Sequence, residues 1–426
     1  MRKNLQALVL AAGEGTRFRS DKTKILHPLL GKSMLRLVCD SVLGMKPEKV
    51  FLVVGYQKED VLQEMASQDI KIVHQKVLEG TIHAFLAAKS MLNKFKDRDV
   101  LVLGANLPLL RTQALTSLLV FHRKRGNTVT RAGSAAEDPA VAVLKTRDLL
   151  WALPHAVRRS HKSPSNLTEI IEKLARAGKK VEDFSPRSPE DFFQVRTRHD
   201  LARAVGVLRE RKMAELAGHG VTVYDPSSTW IDLAVQIGRD SSVYPAVVIE
   251  GRTSIGNGCF IYPGVHIINS QIGSRVRVFG SSVIDGATVE DDVQVGPFAR
   301  LRPKTILRSG SRIGNFVEVK NTDFGRGSKA LHLSYLGDSE VHEGVNIGAG
   351  TITCNYDGVK KNKTTIEAKA FIGSGTELVA PVRIGRGAYV GAGSVITKDV
   401  SPEALAVARS RQVERPGWAR RKKIKR

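Results

Sequence analysis

Two cations eighteen positions apart, Arg302 and Lys320, stand in a stretch of chain that repeats itself every six residues. Where three hexads make one coil, that spacing stacks them as neighbours on one face. Two adjacent cations there form a site for a phosphate or sulfate group. Glu318 shares their segment, and His332, Tyr335 and Asn346 follow within two coils. An imidazole titrates near neutral pH, so His332 among polar neighbours is a candidate general base. The hexads then break over residues 353–365, TCNYDGVKKNKTT, an insert that holds Asn355, Tyr356 and Lys361. A loop leaving a rigid scaffold reaches toward a ligand or a neighbouring subunit. Ser374 and Ala392 are again eighteen apart. A small residue on each of two stacked coils leaves a shallow groove for a narrow, extended ligand.

The element that positions these residues is the repeat itself. One run places Ile237, Val243, Ile249, Ile255, Ile261 and Ile267 in register, and a middle one Val289, Val295, Leu301, Leu307, Ile313 and Val319. The last carries Ile366, Ile372, Leu378, Ile384, Val390 and Ile396, with Gly after Ile372, Ile384 and Val390. A helix needs a 3.6-residue period and a half-buried strand a period of two, and neither fits. A six-residue beat with an inward aliphatic predicts a parallel β-helix. The register slips around Phe324, where a loop or bulge is expected to aim side chains outward.

The chain of 426 residues is long enough for two or three domains. Its 42% hydrophobic and 25% charged residues describe a soluble globular protein. No apolar run reaches the length of a membrane span, and the first residues lack the apolar core of a signal peptide. The three cysteines, Cys39, Cys259 and Cys354, have neither zinc nor disulfide spacing and read as reduced thiols of a cytoplasmic protein. A net charge of +24 calls for anionic partners. Nucleotides, sugar phosphates and coenzyme A suit it, as does a plainly solvated basic surface. The only dense basic run, residues 420–426, comes without a nucleic-acid-binding module, so specific nucleic-acid binding is not expected.

Ahead of the hexads, residues 7–12 (ALVLAA) form an apolar strand that runs into Gly13-Glu14-Gly15-Thr16-Arg17. Glycines in such a turn let backbone N–H groups approach phosphates, and Arg17 adds charge. Further strands at 50–54, 70–73 and 100–103 alternate with helical stretches such as 81–92. That alternation predicts a doubly wound α/β sheet with its ligand at the strand C-terminal ends. Residues 200–217 have helical spacing at Leu201, Val205 and Leu208, with Asp200 as the expected N-cap and Gly218-His219-Gly220 as the stop.

The opening LVLAAGEGTRFRSDKTKILHPLLGK resembles the sugar-nucleotidyltransferases. Over the whole chain the resemblance is to the bifunctional N-acetylglucosamine-1-phosphate uridyltransferase / glucosamine-1-phosphate N-acetyltransferase family. It is carried in the second half by GPFARLRP, IGNFVEVK, HLSYLGD, NIGAGTITCNYDG and KDV. The fold it implies is a Rossmann-like nucleotidyltransferase domain at 1–196, a linker helix at 197–220, and a left-handed β-helix at 221–408. A basic tail at 409–426 completes the chain. The resemblance assigns His332 as general base. It places Arg302, Glu318, Lys320, Tyr335, Asn346 and Lys361 on glucosamine 1-phosphate, and Ala349, Asn355, Tyr356, Ser374, Ala392 and Arg409 on acetyl-CoA. In the first domain it places Gly13, Gly15, Arg17, Lys24, Gln75, Gly80 and Thr81 on the nucleotide. It also implies a cytoplasmic homotrimer with sites shared between subunits and no membrane insertion.

The first domain departs from the family pattern. Thr23 replaces a Pro and Ile82 a Gly, and the family's acetylglucosamine contacts are missing from residues 128–160. The two positions that carry the magnesium ligands hold Asn106 and Arg196. Magnesium prefers anionic oxygen, and a guanidinium cannot ligate it, so no metal is expected there. The sequence therefore predicts acetyl-CoA-dependent N-acetylation of glucosamine 1-phosphate, in the making of UDP-N-acetylglucosamine for cell-wall precursors, with uridylyl transfer lost or reduced. The alternatives are a fully bifunctional enzyme, using UTP and Mg²⁺, and a non-catalytic β-helix scaffold.

Overall fold

The computed structural model describes residues 4–78, 80–133, 139–157 and 166–421. Parts of the 128–160 segment and the end of the basic run, 422–426, lie outside them. The chain forms two compact units, Met1–Arg211 and Lys212–Arg426.

The first unit is built on a seven-stranded sheet. Its order is Lys71–His74, Lys49–Val54, Leu5–Ala11, Asp99–Gly104, Val141–Lys145, Val129–Ala132, Val181–Phe184. Only Val141–Lys145 runs antiparallel to its neighbours. The central strands are apolar on both faces because both faces are covered. Val9, Leu52 and Leu101 pack with Leu35, Val38, Leu115 and Leu118 of the helices Met34–Gly44 and Thr112–Arg125. Leu8, Val53 and Val102 pack with Ile82, Phe85, Leu149 and Ile170 of the helices Thr81–Asn93, Thr146–Val157 and Leu167–Arg176. Leu5–Ala11 lies between Lys49–Val54 and Asp99–Gly104, where the strand order reverses. The loops that follow these strands therefore flank a crevice.

The helix after this sheet spans Arg198–Gly218. Its cap differs from the expected Asp200. The Asp200 N–H donates to Thr197 Oγ1 at 3.2 Å, and Thr197 N–H donates to Asp200 Oδ2 at 2.8 Å. This is a reciprocal capping box, in which Asp200 is the third helical residue and Thr197 the cap.

The second unit is a left-handed parallel β-helix. Among the described residues its three sheets hold eleven, ten and nine strands, and each strand pairs with the third one along, except that Tyr389–Val390 pairs with the second, Leu405–Ala406. Every aliphatic named above in the three hexad runs is buried. Each such side chain contributes roughly 1.5–3 kcal/mol by leaving water. The corners are closed by buried hydroxyls that serve two coils at once. Ser328 Oγ donates to His342 O at 2.7 Å and accepts from Val345 N at 2.9 Å. The glycine after an inward residue answers to the close approach of the next coil. A Cβ on Gly348 would meet Ser374 N at 2.5 Å, and one on Gly373 would meet Ala392 N at 2.5 Å.

Coils of 18 residues, as where Leu301 pairs with Val319, alternate with blocks of shorter ones. Ile261 pairs with Val278, Ile313 with Ala330 and Phe324 with Val341, so these coils are one residue shorter. The slip near Phe324 is this shortening. The expected bulge is absent: Phe324 is fully buried and paired in the strand Asp323–Phe324. The insert is also shorter than expected, since Ile352–Cys354 and Thr364–Ile366 remain strands. Only residues 355–363 leave the coil.

Phe324 is thus a core side chain, and Phe324→Ala is expected to cost about 3–5 kcal/mol. Guanidinium unfolding followed by circular dichroism measures this. A loss below about 1 kcal/mol would mean that the ring fills little of the core.

Candidate functional site

Arg302 and Lys320 each follow an inward residue of the second sheet. Because Leu301 pairs with Val319, the two cations occupy equivalent places on successive coils. Arg302 Nη1 donates to Glu318 Oε1 at 2.9 Å, and Glu318 is paired with Tyr335 on the next strand. The Tyr335 phenol folds over Gly337, where any Cβ would collide with its hydroxyl. Arg302, Glu318, Lys320 and Tyr335 therefore share one outward face. Lys361, on the insert, comes close enough that its ammonium, followed by burial, lowers the pKa of Lys320, while Asp338 acts the other way.

Asp338 is the residue to which the sequence reasoning gave no role. It ends a strand on left-handed backbone (φ 50°), a conformation Asp tolerates better than most residues. Its carboxylate accepts from Asn321 Nδ2 at 2.6 Å and from Asn355 Nδ2, and lies 3.8 Å from Lys320 Nζ. Burial would raise its pKa, but Asn321, Asn355, Lys320 and Lys361 bring it below the usual carboxylate range. Asp338 thus ties the root of the insert to the Lys320 strand. The signal was its place at the end of HLSYLGD, just past a strand. The insert is stiffened in turn by Asp357, whose pKa is lowered to about 2 by the N–H groups of Lys360 and Val359 and by Asn362.

His332 lies at the corner between the first and second sheets. Ala330, Ile347, Ile372 and Val390 are paired in succession on the first sheet. The residues two positions beyond them, His332, Ala349, Ser374 and Ala392, therefore form one column. At a coil spacing of about 4.8 Å, the column runs roughly 14 Å from the imidazole to Ala392. Gly350, Gly375 and Gly393 follow the three small members, so the next residue along adds no side chain. Arg409 closes the far end, its Nη1 donating to Ala392 O at 2.6 Å. Asn346 stands on the first sheet between Lys329 and Phe371.

One set is not brought together. Asn355 and Tyr356 follow the strand Ile352–Cys354 and so lie at the corner beyond the second sheet, whereas Ala349, Ser374 and Ala392 precede that sheet. Tyr356 is exposed and donates to Gly358 O at 2.7 Å. The residues that the resemblance assigns to acetyl-CoA thus stand at two corners of one chain. Burial, then Glu377, raise the Cys354 pKa, which disfavours its thiolate.

In the first unit the residues assigned to the nucleotide fall in two segments, Gly13, Gly15, Arg17 and Lys24 after the strand Leu5–Ala11 and Gln75, Gly80 and Thr81 after Lys71–His74. Gly15 takes left-handed backbone (φ 71°), and the Lys24 side chain packs against it, about where a Cβ would be crowded at 3.1 Å. Burial, then Arg17 and Arg196, lower the Lys24 pKa to about 8, with Asp200 opposing them. Gln75 Nε2 donates to Val77 O at 2.8 Å and Gly80 O at 3.2 Å, which shapes the turn into the helix that starts at Thr81. A Cβ on Gly13 would meet nothing, so its lack of a side chain leaves open space.

The same loops do not suit magnesium. Asn106 presents an amide, and its Nδ2 already donates to Val195 O at 3.3 Å. Arg196 offers only donors, and Asp200 Oδ2 is taken up by Arg196 N, Thr197 N and Thr197 Oγ1. Among the described residues no three His, Cys, Asp or Glu side chains are grouped to hold a metal.

Comparison with known proteins agrees with this division. Residues 7–177 match the MobA-like NTP transferase domain, and residues 363–398 match the bacterial transferase hexapeptide family of six repeats. Curated relatives match along nearly the full length. A protein of Thermodesulfovibrio yellowstonii named "Bifunctional protein GlmU" is 39% identical, the match covering 98% of this chain and 100% of the relative. One of the same name from Thermotoga petrophila is 40% identical over 98% of this chain and 99% of its own. A third, from Pelobacter propionicus, is 39% identical over 99% and 100%. With a nucleotidyltransferase-like sheet joined to a hexapeptide β-helix and relatives of this identity from end to end, the chain belongs to the bifunctional GlmU family of transferases.

Proposed function

We propose that the chain transfers the acetyl group of acetyl-CoA to the amine of glucosamine 1-phosphate, a step in making UDP-N-acetylglucosamine. The observation that carries this reading is the column His332–Ala349–Ser374–Ala392, a side-chain-poor groove with an imidazole at one end and a guanidinium at the other. Its length of roughly 14 Å suits a pantetheine arm, with the thioester at His332 and the coenzyme's phosphates toward Arg409. Arg302, Lys320 and Lys361 hold the sugar phosphate, and Glu318, Tyr335 and Asn346 the sugar.

The chemistry is direct transfer. An amine attacks a thioester only when unprotonated, so His332 takes the proton from the amine as the C–N bond forms. The tetrahedral oxyanion needs a fixed donor. Gly348 N and Gly350 N are already bonded to Ile372 O and Leu333 O, which leaves the Ala349 N–H as the donor we assign. Collapse breaks the C–S bond, and the coenzyme leaves as its thiol with the proton from His332.

We take the working form to be a cytoplasmic homotrimer. Asn355 and Tyr356 of one copy then complete the groove of another, joining residues that stand at two corners of a single chain. Phe298, Phe316 and Leu333 support this. All three are exposed, with left-handed φ of 53°, 55° and 45°, and the two rings stack at 5.5 Å. Bulky residues on such backbone cost roughly 1–2 kcal/mol each, and a lone chain buries only part of each in return.

The relatives' names favour a second activity in the first unit, uridylyl transfer from UTP to N-acetylglucosamine 1-phosphate, and we take the chain as bifunctional. The expectation of a lost or reduced activity rests on Asn106 and Arg196 at the metal positions and on the acetylglucosamine contacts missing from residues 128–160.

Replacing His332 by Ala should lower acetylation by about 10²–10⁴-fold while coenzyme A still binds. Turnover within about tenfold of the parent would remove the imidazole from its role. Asp338→Asn should raise the KM for glucosamine 1-phosphate several-fold and change kcat less, since it acts on binding through Lys320 and the insert. An unchanged KM would deny Asp338 that part. Phe316→Asp should shift the protein from trimer to monomer in sedimentation velocity. A trimer that persists at micromolar concentration would place the interface elsewhere.

A further inference from the structure

The first unit keeps the phosphate-facing glycine turn of a nucleotidyltransferase while its metal positions carry an amide and a guanidinium. The loops that hold these groups are bonded to one another. Val195 N donates to Asn106 O at 2.9 Å, and Ala105 N to Leu10 O at 2.9 Å. Arg198 Nε donates to Phe18 O at 3.2 Å, with its guanidinium 5.3 Å from the Phe18 ring. These bonds place residues 194–198 against the turn 13–18 that follows the first strand. Arg17, Lys24 and Arg196 converge there. Asp200, the acidic group that acts on Lys24, has its Oδ2 engaged by the capping box and by Arg196 N.

We propose that this crevice binds the triphosphate of a nucleotide through Arg17, Lys24 and Arg196 without a metal, with Arg196 supplying positive charge where a divalent metal would bring it. Such a site binds free triphosphate as well as, or better than, its magnesium complex. The metal neutralises phosphate charge that the three cations would otherwise meet, and a fixed guanidinium repels a bound cation. The three side chains gain most from a ligand of high negative charge. Mutual repulsion and burial already disfavour the charged form of Lys24, and an anion relieves the first. The Gly13–Gly15 turn and the start of the 13-residue helix Thr81–Asn93 add backbone N–H groups on the same side. The inference rests on the nucleotide-binding reading of the first unit but not on its turnover.

Calorimetric titration of the full chain with UTP, and with inorganic tripolyphosphate, tests it in EDTA and again in excess magnesium. Both probes are expected to bind in EDTA, with UTP no weaker than in magnesium. Arg196→Asn should weaken binding in EDTA by about tenfold or more, the usual worth of a charged hydrogen bond to an anion. Arg17→Gln, at an exposed position, provides a second variant should the first fail to fold. Binding only in magnesium, no binding under either condition, or variants that bind as the parent does would each overturn the proposal. Pyrophosphate release from UTP and N-acetylglucosamine 1-phosphate, followed separately with magnesium, reports on bifunctionality. It can fail while metal-free binding stands, or succeed while metal-free binding falls.

Discussion

The stacking of one inward aliphatic on the next, coil after coil, is the constraint on which the rest of the second unit depends. Parallel pairing of Leu301 with Val319, or of Ile347 with Ile372, leaves no freedom in what the neighbouring residues do. A residue one position past the inward side chain points out on the sheet, and a residue two past it stands at the corner. Arg302 above Lys320 and His332 above Ala349 are consequences of that count. A slip of one position would exchange buried and exposed side chains along the whole sheet, which is why register is so strongly held. The shortened coils preserve it. Each gives up one residue in a turn, and the inward set continues unbroken through Val278, Ala330 and Val341.

This explains what was legible in the sequence and what was not. Hexad spacing reports on the inward residue directly, so the β-helix and the Arg302–Lys320 pair could be read from it. The five-residue step from Val319 to Phe324 marks a deletion, whereas a bulge would add a residue, and the pairing keeps Phe324 in the core. Asp338 was hidden. Its partners Asn321, Asn355 and Lys320 lie on other coils, and a carboxylate's hydrogen bonds leave no periodic trace. At Thr197–Asp200 the capping-box pattern was present in the sequence, yet a single Asp near a helix start fits either the cap or the third helical position. In the first unit the alternation of strands and helices was plain. The identities of the loop residues suggested phosphate contact, but their placement depends on the strand order.

The large positive charge divides into two kinds by what faces it. Along the β-helix many cations are paired across coils. Arg308 bridges Glu290 at 2.9 Å and Asp323 at 2.7 Å, and Arg275 reaches Asp292 at 2.7 Å. These partly exposed pairs each contribute little, about 0–1 kcal/mol, and chiefly guard the register by penalising displaced coils. At the proposed ligand sites the balance differs. Lys320 and Lys361 both act on the carboxylate of Asp338, and Arg17 and Arg196 lower the pKa of Lys24 while Asp200 raises it. Like charges held close together repel one another, and an anion between them relieves the repulsion. The repulsion persists because the backbone around it is fixed by coil stacking in one unit and by sheet order in the other.

The two sites reach that condition by different routes. In the β-helix, the coil period brings cations from successive turns into one column, and the insert adds Lys361 from outside the period. In the α/β unit no period operates, and the cations come from the loop after the first strand and from the segment that caps the following helix. A carboxylate at position 106 would change that second site most. It would pair with the cations at once and would restore a place for a divalent ion, whereas the Asn106 amide is drawn instead into a bond with Val195 O. The amide thus ties two loops together while itself adding no negative charge to the loops that carry Arg17 and Arg196.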